Sequence, residues 1–307
     1  MSNGIQPSRH RLTEFAGYLP LFAADELSHL PEQLVCSTNE IRLRVNQPIV
    51  IMFGQEYRII CEHMPLTTKD IRDTFEKICN YSVYSHQNEL ANGFVTLPGG
   101  HRVGICGTAA LDSSGHRTLR DISSLNIRIA NEYIGCAKEI MNRIFSETVA
   151  GLLLVGPPCS GKTTLLRDIA LSLSSPPFLK KVVIVDERGE MAAMYRGEAQ
   201  NTLGLFCDVL NGYPKGEGIM NAVRTLAPDV IICDEIGSEC EVEAIIQGLN
   251  AGVAVIASIH ARNVKELYTR EQCRKMLETD AFAHIVTLKD CTRGIINEIT
   301  EVNRHDP

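Results

Sequence analysis

Gly156, Pro157, Pro158, Cys159, Ser160, Gly161, Lys162, Thr163 and Thr164 follow one another with the spacing of a phosphate-binding loop. Glycines at both ends let main-chain N–H groups converge on phosphate oxygens, and a helix starting at Lys162 would add the partial positive charge of its N-terminus. In such a loop Lys162 reaches the β- and γ-phosphates, and the Thr163 hydroxyl ligates Mg²⁺. The expected ligands are therefore ATP and Mg²⁺. Hydrolysis needs acids as well. The apolar run Val230-Ile-Ile-Cys233 ends in Asp234 and Glu235, which predicts a metal-shell carboxylate followed by one that polarises the attacking water. A bare strand-end acid pair is the plainer alternative.

Two further strand ends carry polar groups. Val182–Val185 runs into Asp186, Glu187, Arg188, Gly189 and Glu190. Carboxylates at the carboxyl edge of a parallel sheet could tune the metal or the water, pair with a neighbour's arginine, or form an ordinary charged loop. Val253-Ala-Val-Ile-Ala-Ser-Ile delivers His260 to the same edge, where an imidazole could sense the γ-phosphate or serve only structure. Cys159 within the loop is either a thiol activated by neighbouring amides or a filler at a variable position.

These groups need a scaffold, and the flanking patterns supply one. Leu165, Leu166, Ile169 and Leu173 recur at helical spacing behind the loop, and Gly151-Leu-Leu-Leu-Val155 in front reads as a buried strand. Strands are expected at 151–155, 181–185, 229–233, 253–259 and 283–288, with helices between most of them, so 151–307 reads as an α/β domain with a RecA-like P-loop core and a parallel sheet. A helix is expected over 239–249, with Gly252 as its stop.

Residues 1–130 read instead as a smaller α+β domain of mostly antiparallel strands. Its expected elements are a short helix within 20–35 closed by Pro31, strands at Glu40–Val45, Ile49–Phe53 and Tyr57–Cys61, and a helix capped at Thr67-Thr68. Strands at Gly93–Leu97, Arg102–Cys106 and Ser124–Ala130 complete it, the first two joined by Pro98-Gly-Gly100. Residues 131–150 are expected to link the two domains.

Composition narrows the partners. At 307 residues, with 44% hydrophobic and 22% charged residues, the chain has the values of a globular protein and the length of one large or two ordinary domains. A net charge of −7 argues against an extended nucleic-acid footprint, so no nucleic-acid partner is expected. Eleven scattered cysteines without a C-x-x-C pair suit a reducing cytosol. No signal peptide or bilayer-crossing run is visible, so a cytoplasmic protein is expected, one that meets a membrane only through partners.

The stretch Val223-Arg-Thr-Leu-Ala-Pro-Asp229 through Asp234-Glu-Ile-Gly237, Ala251-Gly252 and Ser258-Ile-His260 resembles the traffic ATPases of type II and type IV secretion and of type IV pili. Asp186–Glu190 lies where those proteins carry an acidic "Asp box", and His260 where they carry a "His box" abbreviated here to Ile-His-Ala. Asp-Glu stands where their Walker B commonly reads Gly-Glu, which aligns Glu235 with their catalytic glutamate. Glu40-Ile-Arg-Leu-Arg44, Thr96-Leu-Pro-Gly-Gly-His-Arg-Val-Gly104, Ser124-Leu-Asn-Ile-Arg128, Arg188-Gly-Glu190, Asp208-Val-Leu210 and Lys215-Gly-Glu-Gly218 resemble one branch, the stage III sporulation protein AA family, over nearly the whole chain.

The resemblance implies a cytoplasmic ATPase forming a homo-oligomer, a hexamer, that works with integral membrane components of a secretion-like channel between mother cell and forespore. It also implies arginines from one subunit's N-terminal domain completing the neighbour's site. Arg102 and Arg128 are the candidates, with Arg120 behind them, and a surface salt bridge is the alternative for each. Two rivals stay open, a RecA-like nucleic-acid motor and a ring scaffold that binds ATP with little turnover.

Overall fold

Alternation of apolar and polar residues along the first 130 residues builds one sheet with one buried face. In the computed structural model, residues 12–302 are described except 55, 92, 112–116, 146–147, 280 and 290–293. They divide into two compact units, with the division between Glu132 and Tyr133.

The first unit begins with a 3-10 turn, Leu12–Phe15, and the helices α1 (Leu21–Ser28) and α2 (Glu32–Ser37). The expected single helix is thus two, because Pro31 cannot extend α1 and instead opens α2. The strands are β1 (Glu40–Arg44), β2 (Ile49–Phe53), β3 (Glu56–Ile60), β4 (Phe94–Leu97), β5 (His101–Leu111) and β6 (Arg117–Arg128). All pair antiparallel in the order β3-β2-β1-β6-β5-β4. Helices α3 (Thr68–Ile78) and α4 (Gln87–Ala91) lie between β3 and β4 in the chain.

Thr67 caps α3 reciprocally: the Asp70 N–H donates to Thr67 Oγ1 at 3.2 Å, and the Thr67 N–H to Asp70 Oδ2 at 2.8 Å. Ile71, Phe75 and Ile78 of α3 then pack on Ile41, Leu43, Ile51, Leu125 and Ile127 of the sheet. Arg102 and Arg128 stand directly opposite one another across β5 and β6, and the Arg102 guanidinium lies 5.0 Å from the Phe94 ring centre.

The second unit opens with α5 (Lys138–Ile144), inside the stretch expected to be a linker. Ala137, Ile140, Met141 and Phe145 are buried in the core, which is why the division falls earlier, after 132. Asp168 fastens this segment down, accepting the Gly135 N–H at 2.8 Å and the Ala137 N–H at 2.7 Å.

Beyond α5 come β7 (Leu152–Gly156), α6 (Lys162–Leu173), β8 (Val182–Asp186), β9 (Cys207–Asn211), α7 (Lys215–Thr225) and β10 (Val230–Cys233). They are followed by α8 (Glu239–Asn250), β11 (Ala254–His260), α9 (Val264–Thr269), α10 (Glu271–Leu277), β12 (His284–Leu288) and β13 (Ile296–Glu301). The sheet runs β13-β12-β7-β11-β10-β8-β9, parallel throughout except for β13. Its inner strands β7, β8, β10 and β11 are apolar on both faces because both are covered. Leu152, Ile184 and Ile232 meet α5 and α6, while Leu153, Val185 and Ile231 meet the α7–α8 side.

One glycine guards the approach to β7. A Cβ on Gly151 would lie 1.8 Å from the Ala281 carbonyl oxygen, and the Gly151 carbonyl accepts from Ala283 and His284 at 3.0 and 3.2 Å. Gly151→Ala is therefore expected to cost about 3 kcal/mol, read as a lowered urea midpoint. An unchanged midpoint would refute that close packing.

Candidate active site

The order β7-β11-β10-β8 brings the carboxyl ends of four strands to one edge, with β11 inserted between the phosphate-loop strand and the Asp234 strand. His260 sits directly opposite Gly156 in the β11–β7 register, and Ala257 opposite Cys233 in the β11–β10 register.

The loop from Gly156 to Lys162 turns through left-handed backbone at Cys159 (φ 63°) and Gly161 (φ 96°). Cys159 is exposed, and the buried Ser160 Oγ has no hydrogen-bond partner among the described residues. Helix α6 starts at Lys162 with no side-chain cap, leaving its first amides, with Thr163 and Thr164, to an external acceptor. Pro157 and Pro158 stiffen the loop without donors of their own.

Lys162 is buried, and its ammonium donates to the carbonyls of Gly156 and Pro157, both at 2.8 Å, and to His260 Nδ1 at 3.0 Å. Burial draws this amine below the ordinary lysine value, against the opposing pull of Asp234 and Glu235. Because Nδ1 accepts from a cation, the imidazole proton resides on Nε2, which donates to Glu235 Oε1 at 2.6 Å. One imidazole thus joins Lys162 to the second of the two acids that follow β10.

Glu235 occupies left-handed backbone (φ 52°), a conformation uncommon outside glycine. Its other oxygen accepts from Arg188 Nη1. Burial alone would raise this carboxyl's pKa, but the hydrogen bond from His260 and the charges of Arg188 and Lys162 hold it below the ordinary glutamate value. Asp234 accepts from the hydroxyls of Thr163 and Ser258, one on each oxygen, and the Glu235 N–H donates to Ser258 Oγ at 3.0 Å.

The acids after β8 have separate fates. Asp186 is buried and accepts the N–H groups of Glu190, Met191 and Ala192 at 2.9, 3.0 and 2.9 Å, so it builds the loop. Glu187 pairs with Lys215 at 3.0 Å. Glu190 lines the same cleft as Glu187, Arg188, Asp234 and Glu235. The cluster is made of second-unit residues, whereas Arg102 and Arg128 belong to the first unit.

Ser258, Arg188 and Lys215 were not among the expected site residues. Ser258 was findable, since it lies two positions before His260 on the same strand face. The other two depend on contacts between distant segments.

Thr163, Asp234 and Ser258 offer oxygen only, which fits a hard divalent cation. Among the described residues no group of three or more His, Cys, Asp or Glu could hold a metal. Mg²⁺ is commonly held by one or two carboxylates, waters and substrate phosphates, and Asp234 and Thr163 offer a carboxylate and a hydroxyl side by side.

The sequence model described as sporulation stage III, protein AA matches residues 29–303. The chain belongs to that family. Stage III sporulation protein AA of Bacillus subtilis (strain 168) is 38% identical over 281 residues, 90% of this chain and 91% of the relative. Among solved structures, the Legionella pneumophila ATPase DotB superposes with a TM-score of 0.63 at 17% identity, covering 93% of this chain and 82% of its own. The pilus retraction motor PilT with bound ADP gives 0.62 at 15%, covering 87% and 80%. This family member thus has the fold of the secretion and pilus ATPases, as its sequence predicted. Among the described residues no helix is long and apolar enough to cross a membrane.

Proposed function

We propose that this protein is a Mg²⁺-dependent ATP-hydrolysing motor of the secretion-ATPase type that powers or assembles a membrane-spanning sporulation channel. The observation that carries this is the bridge from Lys162 through His260 to Glu235, with Asp234 at hydrogen-bond distance of Thr163.

The uncapped amides of α6 and the Lys162 amine bind and orient the triphosphate. Thr163 and Asp234 would hold Mg²⁺, which when bound neutralises charge on the β- and γ-phosphate oxygens. Glu235 would polarise the attacking water, and Ser258 fixes Asp234 by accepting from one residue of the acid pair and donating to the other. His260 contacts both Lys162 and Glu235, so a change at the phosphate end is felt at the acid.

Arg102 and Arg128, paired across β5 and β6, are assigned to a neighbouring subunit's nucleotide in a hexamer, and membrane components of the channel are the partners. Membership of the family and the fold shared with DotB and PilT support this reading.

The test measures phosphate release and particle mass in solution together. Steady turnover with Mg²⁺ and ATP, and growth to a six-subunit mass with a slowly hydrolysed analogue, are expected. Absence of turnover at every mass would leave a scaffold, and many-fold stimulation by DNA or RNA would transfer the protein to the nucleic-acid motors.

A further inference from the structure

Lys215-Gly-Glu-Gly218 opens α7, and its lysine has entered the site so far only as the partner of Glu187. Its two glycines are close-packing positions. A Cβ on Gly216 would meet the Cys240 carbonyl oxygen at 3.1 Å in the first turn of α8, and one on Gly218 would meet Val185 Cγ1 at 2.5 Å on β8. The first turn of α7 is therefore pressed against both elements, and this carries the Lys215 side chain inward until only 8% of it is exposed.

Its ammonium lies 3.0 Å from Glu187 Oε2 and 3.4 Å from Glu241 Oε1. Burial lowers the pKa of this amine, and the two carboxylates more than reverse the effect, so it stays charged. Each partner leads to Glu235 by a different route. Glu187 precedes Arg188, which holds one oxygen of Glu235. Glu241 accepts the N–H groups of Gly237 and Ser238 at 2.7 and 2.8 Å, fixing the chain just beyond Glu235.

We propose that Lys215 is a positioning residue for Glu235, a buried strut that joins the loop carrying Arg188 to the loop carrying the acid and so sets the acid's aim. The strut rests on the role given to Glu235 above. A purely structural ion pair would matter only for stability, and the two cases separate experimentally. Lys215→Met leaves the buried Glu241 close to the partly exposed Glu187 with no cation between them, which destabilises. Lys215→Met/Glu187→Gln removes one of those charges, so its melting temperature should return towards wild type.

Aim should not return with it. In the double variant kcat is expected to stay about 100-fold down, as a misplacement of about 1 Å can cost. KM for ATP should stay within about threefold of wild type, because the phosphate loop is untouched. Amide hydrogen exchange on the full-length chain gives a second readout. Residues 187–190 and 236–238 should exchange faster together in both variants.

Recovery of kcat alongside melting temperature, or faster exchange in neither loop or in one alone, overturns the strut. Should wild type hydrolyse no ATP, the proposed function fails by itself, and the exchange measurement still decides whether Lys215 couples the loops.

Discussion

Glu235→Gln should keep ATP and stop consuming it. Polarising water requires a carboxylate, and loss of a general base costs about 10²–10⁴-fold in rate. Phosphate release is therefore expected to fall by about a thousandfold, while the Kd of a fluorescent ATP analogue stays within about threefold. The size of the side chain is preserved, but its bonding is not. Glu235 accepts from Arg188 on one oxygen and from His260 on the other, and an amide can accept from only one of them. A stability loss of about 1 kcal/mol should accompany the kinetic effect. It stays small because Arg188 is 61% exposed and can turn to water. Turnover near the wild-type rate would remove Glu235 from the mechanism.

Lys162→Ala should act at the opposite end of the same bridge. The ammonium makes three hydrogen bonds within the protein, to two loop carbonyls and to His260, all of which point it along the inner wall of the phosphate loop. A charged hydrogen bond to phosphate is worth about 1.5–3 kcal/mol, so the Kd for ATP should rise by about a hundredfold. Isothermal titration with ATP and with adenosine separates the phosphate contribution from the rest, since adenosine has nothing for the amine to hold. Equal affinity of mutant and wild type for ATP would withdraw the loop as the phosphate cradle.

Both variants concern groups that were legible as motifs, and the reason is local. A phosphate loop is a run of backbone conformations and donors encoded in consecutive residues, and the apolar run before Asp234 and Glu235 marks a strand buried on both faces. The fold class was legible for the same reason. Edge strands were less visible. Cys207–Asn211 and Ile296–Glu301 are half-polar because one side of each lacks a neighbouring strand, so β9 and β13 escaped notice.

The hairpin of β5 and β6 extends well beyond the expected 102–106 and 124–130, on residues such as Thr108, Ala109 and Ser123 that carry little apolar signal. Relationships across the chain were the least accessible. That Glu187 belongs to Lys215, Arg188 to Glu235 and Asp186 to its own loop follows from where β8, α7 and β10 come to rest, and no spacing encodes it.

Asp168 gives the second unit a mechanical property. Its carboxylate grips the amides of Gly135 and Ala137 from within α6, the helix whose first residue is Lys162. Tension on the chain at residue 133 is therefore passed through two hydrogen bonds to the helix that begins at Lys162.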